Sequence, residues 1–371
     1  MSYIENFAKQ KIEELSNNNL LRQINDSYRE NGVHIIKDNK KYISFSCNDY
    51  LGLTHHPKVI KASEDAIAKY GAGAGASRLV TGNHPLYSQL ESKIASLKGT
   101  QNAIIFGSGY LANIGTIPAL VKKGDLILFD RLSHACIIDG IKLSGAKYIP
   151  FSHNDMDKLT ELLQKQRSKY ENCLIITENV FSMDGDIAPI SELKKISKEY
   201  DSWLMTDDAH GLGIIKQNQI PDIAMGTLSK AVGGYGGYVC ASNNVIKYLQ
   251  NTARSLIYTT ALPPSVIAAN IAAIDIISKD NTLAKKALDN AKYFTELLGI
   301  ETAVSSIVAV ILGDEISAIK ASETLKDEGF IVSAIRPPTV PKGTSRLRLT
   351  FSALHKRQDI VKLAKIIKEI T

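Results

Sequence analysis

A single lysine, Lys230, sits in Met225-Gly226-Thr227-Leu228-Ser229-Lys230-Ala231-Val232-Gly233-Gly234 with no other charge in the stretch. Hydroxyls lie one and three positions before it, glycines lie behind it, and it follows an apolar run, Ile223–Met225, that predicts a strand. A lysine taken out of bulk water loses proton affinity and becomes a nucleophile toward carbonyl compounds. The hydroxyls of Thr227 and Ser229 suit a phosphate, and Gly233 and Gly234 let backbone approach a bulky cofactor. Together these features point to a lysine that forms a Schiff base with pyridoxal phosphate. A glycine-rich turn carrying a surface lysine would have the same letters, so the choice rests on the rest of the chain.

Other unusual polar residues fall just after apolar runs that read as strands. Gly107-Ser108-Gly109-Tyr110 follows Ala103–Phe106 and opens a helix, whose free N–H groups can hold a phosphate or simply be capped. Asp130-Arg131-Leu132-Ser133-His134 follows Leu126–Phe129, and His134 could serve chemistry or structure. Glu178-Asn179-Val180-Phe181-Ser182-Met183-Asp184-Gly185-Asp186 follows Leu174–Thr177, and Asp207-Asp208-Ala209-His210-Gly211 follows Trp203–Thr206. An aspartate fixed at a strand end can keep a pyridinium nitrogen protonated and turn the ring into an electron sink. His210 is placed to orient such a ring, and Ala209 is small enough to lie against it. Any one of these is an ordinary turn; five on one sheet point to a site.

The elements that must position them alternate. Strands are predicted at Ala103–Phe106, Leu126–Phe129, Tyr148–Phe151, Leu174–Thr177, Trp203–Thr206, Ile223–Met225 and Tyr238–Ala241. Helices are predicted between most of them, at Tyr110–Val121, Cys136–Leu143, Met156–Gln166 and Ile190–Tyr200. This is the pattern of an α/β fold with a doubly wound, mostly parallel sheet, whose ligands bind beyond the carboxyl ends of the strands. Ile4–Leu21 reads as an amphipathic arm, and Val33–Ile36 with Tyr42–Phe45 as a hairpin through Asp38-Asn39-Lys40. After Ser242 long helices and an α+β tail follow. The expected division is residues 1–45 as arm and hairpin, 46–260 as a large domain and 261–371 as a small one. Gly71-Ala72-Gly73-Ala74-Gly75 follows a helix, Lys58–Tyr70, and not a strand, so a dinucleotide-binding reading is rejected.

At 371 residues the chain suits one large α/β unit and a smaller one. The formal net charge of +6 is spread along the chain, which gives no nucleic-acid footprint and leaves room for a basic rim facing an acidic substrate. Cys47, Cys136, Cys173 and Cys240 form no C-x-x-C pair, so neither a metal site nor a disulfide framework is expected. Met1 to Asn19 shows no signal-peptide pattern, and the most apolar helical run, Pro264–Ile277, is short for a bilayer and carries Asn270 and Asp275. A cytosolic protein without a membrane partner is expected.

Six stretches in this order resemble the α-oxoamine synthases, a family of fold-type I pyridoxal-phosphate enzymes: Ser46–Leu53, Asp130–His134, Val180–Asp186, Asp207–Gly211, Thr227–Lys230 and Pro338–Leu349. The resemblance runs over nearly the whole chain. It implies a large cofactor-binding domain, a small α+β domain and an N-terminal arm. It implies that Lys230 holds pyridoxal phosphate and later acts as base at the substrate Cα. Asp207 would pair with the ring nitrogen, His210 and Ser182 with the O3′ side, and Gly109, Tyr110 and Thr227 with the phosphate. His134 would stack on the ring and bond the thioester carbonyl. Arg348 with Asn48 would clamp the amino-acid carboxylate, and Thr339 and Arg22 would lie near the substrate. The family's homodimers share their sites, so Thr259 or Thr260 would reach a phosphate held by the partner. The chain departs from the family between Gly213 and Asp222, where a longer loop than Ile214–Pro221 is expected.

The implied activity is a decarboxylating condensation of an amino acid with an acyl thioester carried by coenzyme A or a carrier protein. Ser46–Leu53 and Leu256–Pro264 are most similar to members that join L-alanine to a pimeloyl thioester. Two glycine-using branches and a non-catalytic protein on the same fold are the alternatives.

Overall fold

The structure, a computed structural model, describes residues 2–17, 20–22, 24–216 and 218–370. It opens with α1 (Tyr3–Asn17), β1 (Tyr28–Asn31), β2 (His34–Lys37) and β3 (Lys40–Ser44). Helices α2 (Pro57–Tyr70) and α3 (Leu86–Lys98) precede the alternating region. That region runs β4 (Asn102–Phe106), α4 (Gly109–Leu120), β5 (Leu126–Asp130), α5 (Ala135–Ser144), β6 (Lys147–Phe151), α6 (Met156–Gln166), β7 (Cys173–Glu178), α7 (Ile190–Glu199), β8 (Trp203–Asp207), β9 (Ile223–Thr227) and β10 (Gly237–Ala241). Then come α8 (Asn243–Thr252), α9 (Arg254–Ile257), α10 (Pro264–Lys279), α11 (Thr282–Leu298), β11 (Ile307–Gly313), α12 (Glu315–Asp327), β12 (Phe330–Ile331), β13 (Ser333–Ile335), β14 (Ser345–Thr350) and α13 (Arg357–Ile370).

The central sheet has the order β4-β10-β9-β8-β7-β5-β6. Strand β10 is antiparallel to both neighbours and every other pair is parallel. Six strands therefore end on one edge. Strands β5, β7, β9 and β10 are buried along their whole length, as continuous apolar strands covered on both faces must be. Side chains alternate across the sheet. Ala103, Ile105, Ala224 and Tyr238 join the layer of α3 and α10, whereas Ile104, Phe106, Met225 and Val239 join that of α4, α5 and α8. A smaller layer is built on β11-β14-β13 and on β1-β2-β3-β12, with a core of Phe45, Phe294, Leu347, Leu349, Phe351 and Ile360.

All seven strands expected between Gln101 and Ser242 are present, each one or two residues longer than the apolar run alone. The hairpin is tighter than expected: Lys37 pairs with Lys40 across Asp38 and Asn39, both with positive φ (52° and 58°), the geometry of a two-residue primed turn. Strand β3 then pairs in parallel with β12, so the hairpin is part of the C-terminal layer and no separate arm. The packing also differs from a boundary at 260/261. Ile267, Ala273 and Ile274 of α10 belong to the core against the large sheet, because α10 lies along α2 and α3 and covers their apolar faces. Helix α11 crosses between layers: Leu283 and Ala284 touch the first, and Ala291 and Phe294 the second. Of the expected short loop Ile214–Pro221, residue 217 lies outside the described residues.

Helix α3 has no counterpart among the expected elements. Its Tyr87, Leu90, Ile94 and Ala95 recur at helical spacing and are buried. Leu90 is fully buried, so Leu90→Ala should lower stability by about 2–5 kcal/mol in urea unfolding. Leu143→Ala, on an exposed helical position, should stay within about 0.5 kcal/mol of the parent. Equal effects would mean that α3 does not seal this core.

Candidate active site

The turns after β4, β5, β7, β8 and β9 converge on one edge of the sheet. Lys230, three residues beyond β9, places Nζ 2.7 Å from His210 Nε2. His210 Nδ1 lies 2.6 Å from the Tyr50 hydroxyl, which is 3.1 Å from Asn48 Oδ1. One proton arrangement satisfies the chain: the amine donates to Nε2, Nδ1–H donates to the phenol oxygen, and the phenol donates to Asn48. Asn48 Oδ1 also accepts from Arg348 Nη2 at 3.4 Å, and Arg348 Nε donates to the Ser182 carbonyl. Asp207, at the end of β8, is held by neutral donors. Asn113 Nδ2 reaches Oδ2 and the Ala209 amide reaches Oδ1, both at 2.9 Å.

Burial is the largest influence on Lys230, Asp207, His134, His210 and Glu178. It lowers the Lys230 amine, with Asp207 opposing, and raises Asp207, with Lys230 opposing. It lowers His134 and pushes His210 well below the ordinary histidine value, and Lys230 adds to the lowering at both. Glu178 is raised to about 8 by burial and by the charge of Asp207, and accepts from the His134 amide at 2.6 Å. Burial thus biases the amine toward its neutral form and the carboxyls toward protonation unless a cation is near.

Lys230, His210, Asp207, His134, Gly109, Tyr110 and Thr227 line one cavity of about 230 Å³. His134 also lines an adjoining cavity of about 730 Å³ with Ser182 and Thr339. Thr339 and Pro338 in turn line a third, of about 570 Å³, with Arg22, Arg336, Leu15 and Leu20. Arg22 is exposed. Thr259 and Thr260 are not brought to any of these cavities within the chain, and Thr260 forms an isolated bridge with Ser77.

The small cavity suits pyridoxal phosphate. At one end α4 begins at Gly109, so its first N–H groups lack helical partners, and Ser108 caps Leu111. The Thr227 and Ser229 hydroxyls lie 2.8 Å apart beside it. A Cβ on Gly109 would come within 3.2 Å of Met225 Cε and 3.3 Å of Thr227 Cβ, so glycine lets the start of α4 pack closely on β9. At the other end is a buried carboxylate, Asp207, and at the side a lysine of lowered pKa. The glycines behind Lys230 do a different job from the one expected. Gly233 (φ 72°) packs against the Thr54 backbone, and a Cβ on Gly234 would meet Asn270 of α10 at 1.9 Å, so both seat the lysine turn on the helix layer and not on the cofactor.

A family model described as aminotransferase class I and II matches residues 40–367. The 8-amino-7-oxononanoate synthase of Granulibacter bethesdensis is 49% identical over 377 residues, covering 100% of this chain and 98% of that protein. The serine palmitoyltransferase of S. paucimobilis with bound PLP–myriocin superposes with a TM-score of 0.91 at 28% identity, covering 100% of this chain and 98% of that one. The 8-amino-7-oxononanoate synthase of Francisella tularensis gives 0.76 at 30% identity, over 88% and 97% of the two chains.

Several residues that complete the site carry little local signal. Asn113 is a fully buried amide on the apolar face of α4, and Tyr50 lies 160 residues from the histidine it contacts. Lys98, at the end of α3, forms an ion pair of 2.7 Å with Asp208, the two side chains 7% and 0% exposed, and Asn179 donates to the other oxygen at 2.6 Å. This pair braces the strand end that presents Asp207. Lys98→Met leaves Asp208 charged in the core and should cost about 3–5 kcal/mol in chemical denaturation. Adding Asp208→Leu should restore most of that loss, and a double variant as unstable as the single one would count against a charge penalty.

Proposed function

The chain belongs to the class I and II aminotransferase family, and from that premise we propose that it catalyses a pyridoxal-phosphate-dependent condensation of L-alanine with a pimeloyl thioester. The products are 8-amino-7-oxononanoate, CO2 and the free thiol, a step of biotin biosynthesis. Full-length relatives at 49% identity carry the name of that synthase. The observation that carries the reading is the sharing of His134 between the 230 Å³ and 730 Å³ cavities. A condensation needs an amino-acid site and an acyl site that meet at one residue, and this arrangement supplies them.

Bound in the small cavity, pyridoxal phosphate supplies an aldehyde that holds the amino acid and a ring that withdraws electrons from its Cα. The chain's residues do the rest. Asp207 keeps the ring nitrogen protonated. Lys230, whose proton affinity is lowered by burial, removes the Cα proton and later returns one. Arg348 and Asn48 hold the amino-acid carboxylate, a task suited to the rigid fork of arginine. His134 donates to the thioester carbonyl from the wall that the two cavities share. His210 and Ser182 would contact the O3′ side of the ring, and Thr227 with the Gly109 and Tyr110 amides would hold the phosphate. Thr339 and Arg22 lie along the path of the acyl chain.

The same reading takes the enzyme as a cytosolic homodimer in which Thr259 or Thr260 reaches the partner's phosphate. Exposed apolar residues Leu79 and Val80, close in sequence to the open Gly71–Gly75 loop, support such a contact. No helix among the described residues is long and apolar enough to cross a membrane.

Borohydride treatment of the yellow protein should fix a pyridoxyl group on Lys230, read by peptide mass. Among L-alanine and glycine paired with pimeloyl, acetyl and succinyl thioesters, alanine with pimeloyl should release thiol fastest. Faster turnover of glycine with a short acyl thioester would move the chain to a glycine-using branch. Arg348 is buried, so Arg348→Ala should weaken alanine binding by about 3–5 kcal/mol while the cofactor stays bound. Unchanged alanine affinity would put the carboxylate elsewhere.

A further inference from the structure

His153 lies two residues beyond β6, outside the chemistry described above, yet it joins two loops that do take part. Its Nδ1 is 3.1 Å from both oxygens of Asp130, at the end of β5. Its Nε2 is 2.7 Å from Asp186 Oδ2, in the turn after β7. The ring meets Phe181 edge-on, with centroids 4.3 Å apart at 90°. Asn154 repeats both links: its amide donates to Asp130 Oδ2 and its Nδ2 to Asp186 Oδ2, each at 2.9 Å.

Each aspartate anchors a loop on the wall of the 730 Å³ cavity, Asp130 through its carboxylate and Asp186 through its backbone carbonyl. Asp130 Oδ1 accepts from the Leu132 amide at 2.9 Å and so fixes the turn that leads to His134. The Asp186 carbonyl accepts from the Phe181 amide at 3.0 Å and closes the turn that carries Ser182. A histidine serving only to fill space would need one partner. This one spans two loops and backs a ring, Phe181, that itself lines the cavity.

We propose that His153 is a positioning residue: bonded to Asp130 on one side and Asp186 on the other, it holds the 131–134 and 181–186 loops at the spacing that forms the acyl cavity, and thereby sets affinity for the acyl thioester. The proposal rests on the reading of that cavity as the thioester site. The protonation of the ring supports it. Burial disfavours the charged imidazole, but Asp130 and Asp186 together outweigh burial and raise it to about 10. Both nitrogens then carry a proton throughout the neutral range, and only the doubly protonated ring can donate to two carboxylates at once.

His153→Gln, whose amide cannot bridge the two carboxylates, should raise KM for pimeloyl thioester by about tenfold, with alanine KM and cofactor loading within about twofold. Asp186→Asn, on a half-exposed turn where misfolding is not expected, should raise the same KM by about threefold. Hydrogen exchange at the Phe181 and Gly185 amides, followed without substrate, should quicken in both variants. The proposal is overturned if acyl KM and exchange stay at the parent values in a folded Asp186→Asn protein. It is equally overturned if alanine and acyl affinities fall in step. A parent enzyme that turns over no acyl thioester would refute the assigned reaction instead, and the exchange measurement would still decide whether His153 holds the loops.

Discussion

Removing Lys230, Asp207, Glu178, His134 and His210 from water around one small cavity is the condition on which the rest of the molecule depends. Burial is the largest influence on each of them. In a low dielectric a charged form is costly unless it is paired or hydrogen-bonded, so the lysine drifts toward its neutral amine and the carboxyls toward protonation. The charges of Lys230 and Asp207 oppose burial at each other, and neutral groups do the rest: the Asn113 amide and the Ala209 N–H donate to Asp207, and the Tyr50 phenol oxygen accepts from His210. The nearest strong ion pair, Lys98 with Asp208, is spent on the neighbouring residue. Burial thus makes a pyridinium a favourable partner for Asp207 and makes Lys230 a better nucleophile and base.

Two layers share the work. The large sheet and the turns that follow its strands supply every group proposed to touch the cofactor within one subunit. Strand β14 of the smaller layer supplies Arg346 and Arg348, two residues apart and so on the same face of the strand. Both reach the turn after β7: Arg346 pairs with Asp184 and Arg348 donates to the Ser182 carbonyl. Any movement of the small layer is therefore felt first at Ser182 and at the proposed carboxylate clamp. His153 and Asn154 hold the same turn from the large sheet. The 181–186 segment is fixed from both sides because it belongs to both.

Much of this was legible in the sequence because parallel strands are buried on both faces and write themselves as unbroken apolar runs. Once the runs are found, the rule that sites lie beyond the carboxyl ends of such strands directs attention to the turns that hold His134, Asp207, His210 and Lys230, and their roles follow from the family resemblance. What escaped was long-range. Tyr50 meets His210 only because the 46–53 segment folds onto the turn after β8, 160 residues away, and the approach of Asn48 to Arg348 across 300 residues was implied by the family resemblance and not by any local pattern. Helix α3 was missed because its apolar stripe is short, and α10 was grouped by sequence with the helices after it although its packing lies with α2. The glycines at Gly233 and Gly234 show the limit of residue-type reasoning: the absent side chain was noticed, but its beneficiary, Asn270 and the Thr54 backbone, could not be.

The order of the cavities bears on how such a site can change substrates without changing chemistry. His134 joins the first to the second, and Pro338 and Thr339 join the second to the third. Moving along that path, the lining passes from ionisable groups on the rigid sheet to the 338–341 segment, and then to Leu15, Leu20 and Leu21 with Arg22 and Arg336. An acyl group with an apolar middle and an anionic far end matches that sequence of walls. The last wall is also the least constrained: no residue of α1 is buried, and no side-chain partner holds Arg22 or Arg336 among the described residues. Residues free of packing obligations can be exchanged at little cost in stability. On the proposed reading, specificity for the acyl tail would lie where the fold tolerates substitution, and the proton chemistry where it does not.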